Sequence, residues 1–491
     1  MLLGILSIAG PVFSYVSLAL VAWGIYRQRQ NLDRWALLPA GIGFFFSILF
    51  IPNVHRLFFD EDIYINMASN LSHAPIAQLT LLGGPNKIEA STYYKEPPGF
   101  PILLSLAFLG SGPTETAAFL MARILYAATL AAFFLLASRI FQDRKLAFGA
   151  TLLFGGTSVL FRFSASAGTD MAAVLFSILG VWGMVANEGL LAASALAMAA
   201  QVRLEMIVLL LLLLLAQAVS KQWKVLGLVL VGGEVLHLIW VFSIAPQLAK
   251  AEAVTNAFSA SYMVGNFIGD LRYLFNPLLF PIGISVLAAA AFARRRGNAC
   301  FSGTPLKLWI GLLGIVYLLF YKGSFLVNPR YAIQILAPLV LLAFRVSANR
   351  YIAAAALGTL ALTYVPASDS SDYVSVLASD HRVALHWAAR LGGSDLVVST
   401  EPEIFLNYGI QAMNAVFASG RESLMEEQLQ KYRKVWYYSG VRTNVEGTEQ
   451  WAADQWIKAH FDLRLAESDA IGGFTSRIYE VSRNTALPQD K

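Results

Sequence analysis

The feature that most constrains this chain is the alternation of long apolar runs with short basic gaps. IVLLLLLLLAQAV after Met206 and LAPLVLLAF from Leu336 are too long and continuous for strands, and they lack the polar stripe of a surface helix. Hydrophobic residues make up 57% of the 491 and charged residues 14%, against about a quarter in an average soluble chain. That is too little charge to coat a soluble globule of this size, so lipid is the expected solvent. The basic residues sit in the gaps: Arg27, Arg29 and Arg34; Arg139, Arg144 and Lys145; Lys221 and Lys224; Arg294, Arg295 and Arg296; Arg345 and Arg350. This is the positive-inside pattern and places the gaps on the cytoplasmic side. A nucleic-acid binder would gather its charge on one folded face, so the net charge of +5 does not point to nucleic acid.

The pattern predicts an α-helical polytopic membrane protein of about twelve transmembrane helices with a soluble C-terminal α/β domain. The spans are expected near 2–25, 36–53, 117–138, 146–164, 171–187, 189–202, 204–219, 225–245, 275–293, 305–321, 330–345 and 351–366. The first reads as a retained helix, since no basic n-region or cleavage site marks a signal peptide. A transmembrane domain over 1–366 then includes a long outer loop at 52–115, and 367–491 forms the outer domain. In that tail HRVALHWAARL and EQWAADQWIKAHF have helical spacing, while DLVVST, KVWYYSGV and FTSRIYEVS read as strands. It has no Gly-rich phosphate fingerprint. The single cysteine, Cys300, excludes an intrachain disulfide or a cysteine metal site.

The outer loop carries the densest chemistry. FFDEDIYINMASNL sets Asp60, Glu61 and Asp62 at a helix start near the membrane surface. Three such acids can act as a base, as metal ligands or as both, although acids at helix ends are also ordinary solvated charge. Further on, Lys95 and Glu96 precede Pro97 and Pro98, which fix the backbone and start a short apolar helix expected to lie along the membrane. The prolines need no role beyond helix initiation, whereas Lys95 is suited to a phosphate. Asp170, in SASAGTDMAAVLF, begins a helix on the same outer side, where Thr169 or Asp170 equally serves as an N-cap. Arg203 and Glu205 interrupt an apolar region, as do Glu234 and His237, three residues apart on one helix face. Charges at such depth mark a substrate path or an internal pair. Arg330 opens a later helix as an interfacial anchor or as a cation for a lipid headgroup.

Taken in order, the acidic loop with DExxY, KEPPG, SASAGTD, QVRLE and NPRYAIQILAPL resemble the GT-C superfamily of membrane glycosyltransferases over about residues 50–345. The nearest branch is glycosyltransferase family 39, the protein mannosyltransferases and aminoarabinose–lipid A transferases. The resemblance implies inverting transfer of one sugar from a polyprenyl-phosphate donor to a lipid, glycan or protein acceptor outside the cytoplasmic membrane. It makes Asp60 the essential loop acid, Glu61 its neighbour, Tyr64 the following aromatic and Asp170 the second-loop acid. It gives Lys95 and Glu96 the donor-phosphate segment, in an order opposite to that of many members. Arg203 and Arg330 are further cations for the departing phosphate, and Asp60 and Asp170 are the candidate ligands of a divalent cation that no dense oxygen motif compels. KVWYYSG resembles the oligosaccharyltransferase WWDYG signature only superficially and lacks its Asp, which speaks against whole-glycan transfer. The rival expectation is a secondary transporter or lipid flippase working through Arg203, Glu205, Glu234 and His237, although no internal repeat supports it.

Overall fold

The computed structural model describes residues 2–57, 60–73, 97–209, 258–276, 304–326, 328–347, 372–471 and 473–483. In chain order its helices are α1 (Leu2–Arg27), α2 (Leu37–Phe50), α3 (Asp60–His73), α4 (Gly99–Ser111), α5 (Glu115–Phe141) and α6 (Arg144–Gly156). Then come α7 (Ser158–Arg162), α8 (Thr169–Val185), α9 (Gly189–Val202), α10 (Met263–Leu274), α11 (Thr304–Ile315) and α12 (Ala332–Ser347). The C-terminal region adds α13 (Asp372–Ala388), α14 (Pro402–Asn407), α15 (Ala415–Ala418), α16 (Glu422–Lys431) and α17 (Glu449–His460). Its five strands are β1 (Asp395–Ser399), β2 (Gln411–Asn414), β3 (Lys434–Ser439), β4 (Phe461–Ile471) and β5 (Phe474–Arg483). The chain divides into two compact units: Met1–Asn53, Lys95–Ala107 and Thr116–Ser368 in one; Val54–Tyr94, Phe108–Glu115 and Asp369–Lys491 in the other.

The first unit is helical. Among the described residues two helices are long and apolar enough to cross a membrane, Ile8–Arg27 of α1 and Glu115–Phe141. A third arises if Arg144–Gly156 and Ser158–Ala165, bent by 63° at Thr157, count as one span. Apolar helices also occupy the other expected positions that are described, but α2, α8 and α9 have only 14, 17 and 14 residues where an upright crossing takes about 20. The expected spans at 204–219, 225–245, 275–293 and 351–366 lie wholly or mostly outside the described residues, as do Glu234 and His237. Among the described residues, then, two or three of the apolar helices have full spanning length.

Two contacts fix how these helices are arranged. α8 and α9 run against each other over small residues: a Cβ on Gly183 would lie 2.6 Å from the Ala192 nitrogen, and one on Gly180 would lie 2.6 Å from Leu196 Cδ2. Only glycine lets the backbones approach this closely, and close approach is what holds helices together where apolar burial alone gives no preference. At the turn that joins these two helices Glu188 pairs with Arg27 at 3.1 Å, and Arg144 at the start of α6 pairs with Asp33 at 2.6 Å. The turns after α1, between α5 and α6, and between α8 and α9 therefore carry their charges at one end of the unit, as the basic gaps predict. These half-exposed pairs mark register more than they stabilise.

The second unit is built on a five-stranded sheet of order β2-β1-β3-β5-β4. β1 runs parallel to β2 and β3, whereas β5 is antiparallel to β3 and β4. Side chains alternate across it with period two. Leu396, Val398, Val435 and Tyr437 enter one core with Met425 and Ile457, while Val397, Tyr438 and Ile478 enter another with Ala384, Ile404 and Phe405. Helices thus cover both faces, which explains why DLVVS is apolar without alternation. The superficially signature-like KVWYYS is β3, an interior strand. Its Tyr437 hydroxyl donates to Asp454 at 2.9 Å and its Tyr438 hydroxyl to Asp380 at 2.6 Å.

Glu403 sits in the first turn of α14 and is 4% exposed. Burial pushes its pKa up to about 7, outweighing the backbone hydrogen bond that favours the charged form. A carboxyl whose folded pKa is raised keeps its full contribution below the unfolded value near 4.3 and costs stability as pH rises through 7. The second unit should therefore lose about 3 kcal/mol between pH 4.5 and pH 8 through this group alone. Glu403→Gln should flatten that slope, raising the thermal midpoint at pH 8 and leaving it unchanged at pH 4.5. Scanning calorimetry of the detergent-solubilised chain at the two pH values measures this.

Candidate functional site

Two constellations of buried charge stand out, one in each unit. In the first unit α9 ends at Val202, and Arg203 takes an extended conformation (φ −141°, ψ 121°) before the 3-10 turn Leu204–Ile207. The break turns the Arg203 side chain into the protein, where it is 7% exposed. Its Nε donates to Glu205 Oε1 at 2.6 Å, its Nη2 lies 2.5 Å from the same oxygen, and its Nη1 pairs with Asp170 Oδ1. Tyr317, buried on the π-helical turn Val316–Phe320, donates its hydroxyl to Glu205 at 3.0 Å, and Gln334 Nε2 reaches the Asp170 carbonyl at 3.3 Å. The guanidinium is 5.6 Å from the Tyr331 ring, and that of half-buried Arg330 is 5.5 Å from it. One cation thus faces two carboxylates in a buried place. Leaving either charge alone there is far costlier than forming the trio, so each residue requires the others.

This arrangement sharpens the sequence reading of three residues. Gly168, not Thr169 or Asp170, is the N-cap of α8, and no side chain caps that end. Asp170 is instead consumed through Oδ1 by Arg203, while its buried Oδ2 accepts no hydrogen bond among the described residues. Arg203 and Glu205 form an internal network, one of the two readings that their depth allowed. Gly99, directly after the double proline, lies so close to Gln201 that a Cβ would fall 2.6 Å from its carbonyl carbon, which brings the start of α4 to the end of α9. Lys95 and Glu96 themselves lie outside the described residues.

In the second unit the three loop acids have different fates, although they are consecutive at the start of α3. Glu61 is fully buried and accepts from the backbone nitrogens of Arg56 at 2.7 Å and Leu57 at 3.3 Å. It caps the loop that precedes its own helix. Asp62 is 1% exposed, and Asn407 donates to its carbonyl at 3.2 Å. Tyr64 is buried one turn on. Asp60 is the least buried of the three.

Around Asp62 gather residues that no motif announced. The His55 and His381 rings stack at 3.7 Å. Nε2 of each lies 3.2 Å from Glu115 Oε1, and His381 Nε2 lies 3.4 Å from Asp62 Oδ1. Burial alone pulls the His55 ring toward neutrality, but Asp62, Glu115 and Glu61 outweigh it and hold its pKa up at about 9. The same pairing holds Asp62 below the usual carboxylate range in spite of burial. Donor atoms of His55, Asp62, Glu115 and His381 all lie within 4.8 Å of one another. Of these four only Asp62 belongs to the sequence-derived site. The available signal was the histidine five residues ahead of Asp60, since nothing in the spacing ties residue 55 to residue 381.

Neither a family model nor a curated protein matches the sequence. Solved structures do. ArnT from Cupriavidus metallidurans bound to undecaprenyl phosphate aligns with a TM-score of 0.59 at 12% identity, covering 93% of this chain and 99% of that one. Its apo state aligns at 0.57 with the same coverage. The apo oligosaccharyltransferase of Archaeoglobus fulgidus aligns at 0.51 and 12% identity, over 93% of this chain and 76% of its own. The chain has the GT-C fold. At this identity the likeness speaks for architecture alone, the architecture that the acidic loop and KEPPG led one to expect. The GT-C fold here keeps Asp170, Arg203 and Glu205 as an interlocked trio. Arg203→Met should therefore destabilise the first unit by about 3–5 kcal/mol by stranding two carboxylates. The double variant Arg203→Met, Glu205→Gln should recover part of that loss. Detergent-resistant folded fraction, followed by size-exclusion after graded heating, reads both.

Proposed function

We propose that this chain is a glycosyltransferase that moves a single sugar, with inversion, from a polyprenyl-phosphate donor to a lipid, glycan or protein acceptor on the outer face of the cytoplasmic membrane. In this reading the apolar helices anchor the chain in that membrane and the C-terminal α/β domain is extracytoplasmic. The GT-C fold supports it, as does the undecaprenyl phosphate held by the ArnT structure. The observation that carries it is the sorting of the loop acids. Glu61 accepts from two backbone nitrogens and the Asp62 carboxylate pairs with His381, while Asp60 is the least buried of the three.

The chemistry assigned to these residues balances as follows. The acceptor hydroxyl oxygen attacks the anomeric carbon from the face opposite the phosphate, and the bond from that carbon to the phosphate oxygen breaks. Asp60 takes the hydroxyl proton, and the polyprenyl phosphate departs as an anion. Lys95 and Arg330 neutralise the leaving phosphate, with Glu96 orienting Lys95. Arg203 is engaged by Asp170 and Glu205, so its role is to hold Asp170 and the end of α9 in place. A divalent cation enters this proposal through Asp170, whose Oδ2 has a lone pair to offer. The transporter alternative needs Arg203 and Glu205 to exchange partners during a cycle, and their enclosure by Asp170 and Tyr317 opposes that.

Asp60→Asn removes the base while keeping the shape of the side chain, so it should lower the transfer rate about 10²- to 10⁴-fold. Expression and membrane insertion should stay normal. Glu61→Gln should instead reduce the amount of folded protein while leaving the rate per folded molecule within a few-fold. An Asp60→Asn chain that still transfers labelled sugar at near-wild-type rate would remove Asp60 from the role of base.

A further inference from the structure

We infer that His55, Asp62, Glu115 and His381 form a zinc site in the second unit, independent of whether the chain transfers a sugar. Zinc bound by imidazole nitrogen and carboxylate oxygen at about 2.0–2.2 Å in a tetrahedron separates its ligand atoms by roughly 3.3–3.5 Å. The spacings around Glu115 Oε1 and His381 Nε2 are 3.2, 3.2 and 3.4 Å. The four donors come from the segment before α3, from α3 itself, from the first residue of α5 and from α13. They converge although the chain separates the outermost of them by more than 300 residues.

Three features favour an ion over a hydrogen-bonded cluster. First, the two imidazoles stack at 3.7 Å with their donor atoms beside Asp62 and Glu115, whose two negative charges one divalent ion would balance. Second, both rings direct Nε2 at the same carboxylate oxygen, which a shared cation explains better than two competing donors. Third, Nδ1 of His55 faces Glu61 Oε2 at 3.4 Å. A buried carboxylate near the remote ring nitrogen lies where the outer-shell partner of a metal-bound histidine is found. Asp62 adds an Oδ2 that is buried and accepts no hydrogen bond among the described residues. Two nitrogen and two oxygen donors suit zinc rather than magnesium or calcium, which take six or more oxygens.

Bound there, zinc would pin Asp62, and with it the first turn of α3 on which Asp60 stands. The test uses the full-length purified chain, stripped with a chelator and then dialysed against zinc chloride or magnesium chloride. Elemental analysis should find about one zinc per chain and no retained magnesium. The thermal midpoint should rise with free zinc as mass action requires. His381→Asn should hold less than a fifth of the wild-type zinc, while His381→Cys, which supplies another zinc ligand, should keep it. The zinc absorption edge of the wild type should report two imidazoles with oxygen neighbours. A stripped wild-type chain of native helicity that takes up no zinc overturns the assignment, as does equal uptake by wild type and His381→Asn. If donor turnover is absent but zinc binds as described, the site stands and the transferase reading falls.

Discussion

The first unit depends on one interaction, the burial of Arg203 between Asp170 and Glu205. A guanidinium inside an apolar helical body is tolerable only when its charge is met and its donors are used. Meeting it requires α9 to end at Val202, the chain to run extended through Arg203, and the start of α8 to present Asp170. It also enlists Tyr317 from the π-helical turn that ends the helix begun by α11. The close packing of α8 on α9 through Gly180 and Gly183 carries these ends to their positions. Substituting any one of these residues therefore reaches several elements at once.

The second unit solves a related problem with different means. Three consecutive acids at the start of α3 carry polar groups that burial leaves costly unless they are hydrogen-bonded or paired. Glu61 turns back onto the backbone of the preceding segment, and Asp62 joins two histidines, Glu115 and Asn407. The second unit takes in residues 54–94 and 108–115 together with 369–491, so the acidic segment shares a compact body with the tail.

Much of this was legible in the sequence, for reasons that can be named. DLVVS and KVWYYS became β1 and β3 because β-branched and aromatic residues in short runs have few alternatives once buried on both faces. QAMN was missed as β2 because four residues carry too little period to register, and FDLRLAESDAI was missed as β4 because its charges obscure the alternation. Helix positions followed the apolar runs, but spanning length did not, since several runs are cut by prolines, glycines or Arg203 before reaching membrane thickness. Among residues of the two buried clusters, Asp62, Asp170, Arg203 and Glu205 could be picked out because charge in an apolar chain is conspicuous. His55, Glu115 and His381 could not, because a cluster assembled from distant segments leaves no spacing to read.

The central claim is that a GT-C architecture with these acids transfers a sugar from a lipid phosphate. Its most direct test is turnover by the purified wild-type chain of labelled polyprenyl-phosphate sugars mixed with membrane extract. The account predicts release of polyprenyl phosphate matched by appearance of the sugar on an acceptor, with the anomeric configuration inverted relative to the donor. Absence of turnover with every common sugar, together with substrate counterflow in vesicles reconstituted with the same chain, would contradict it and favour transport.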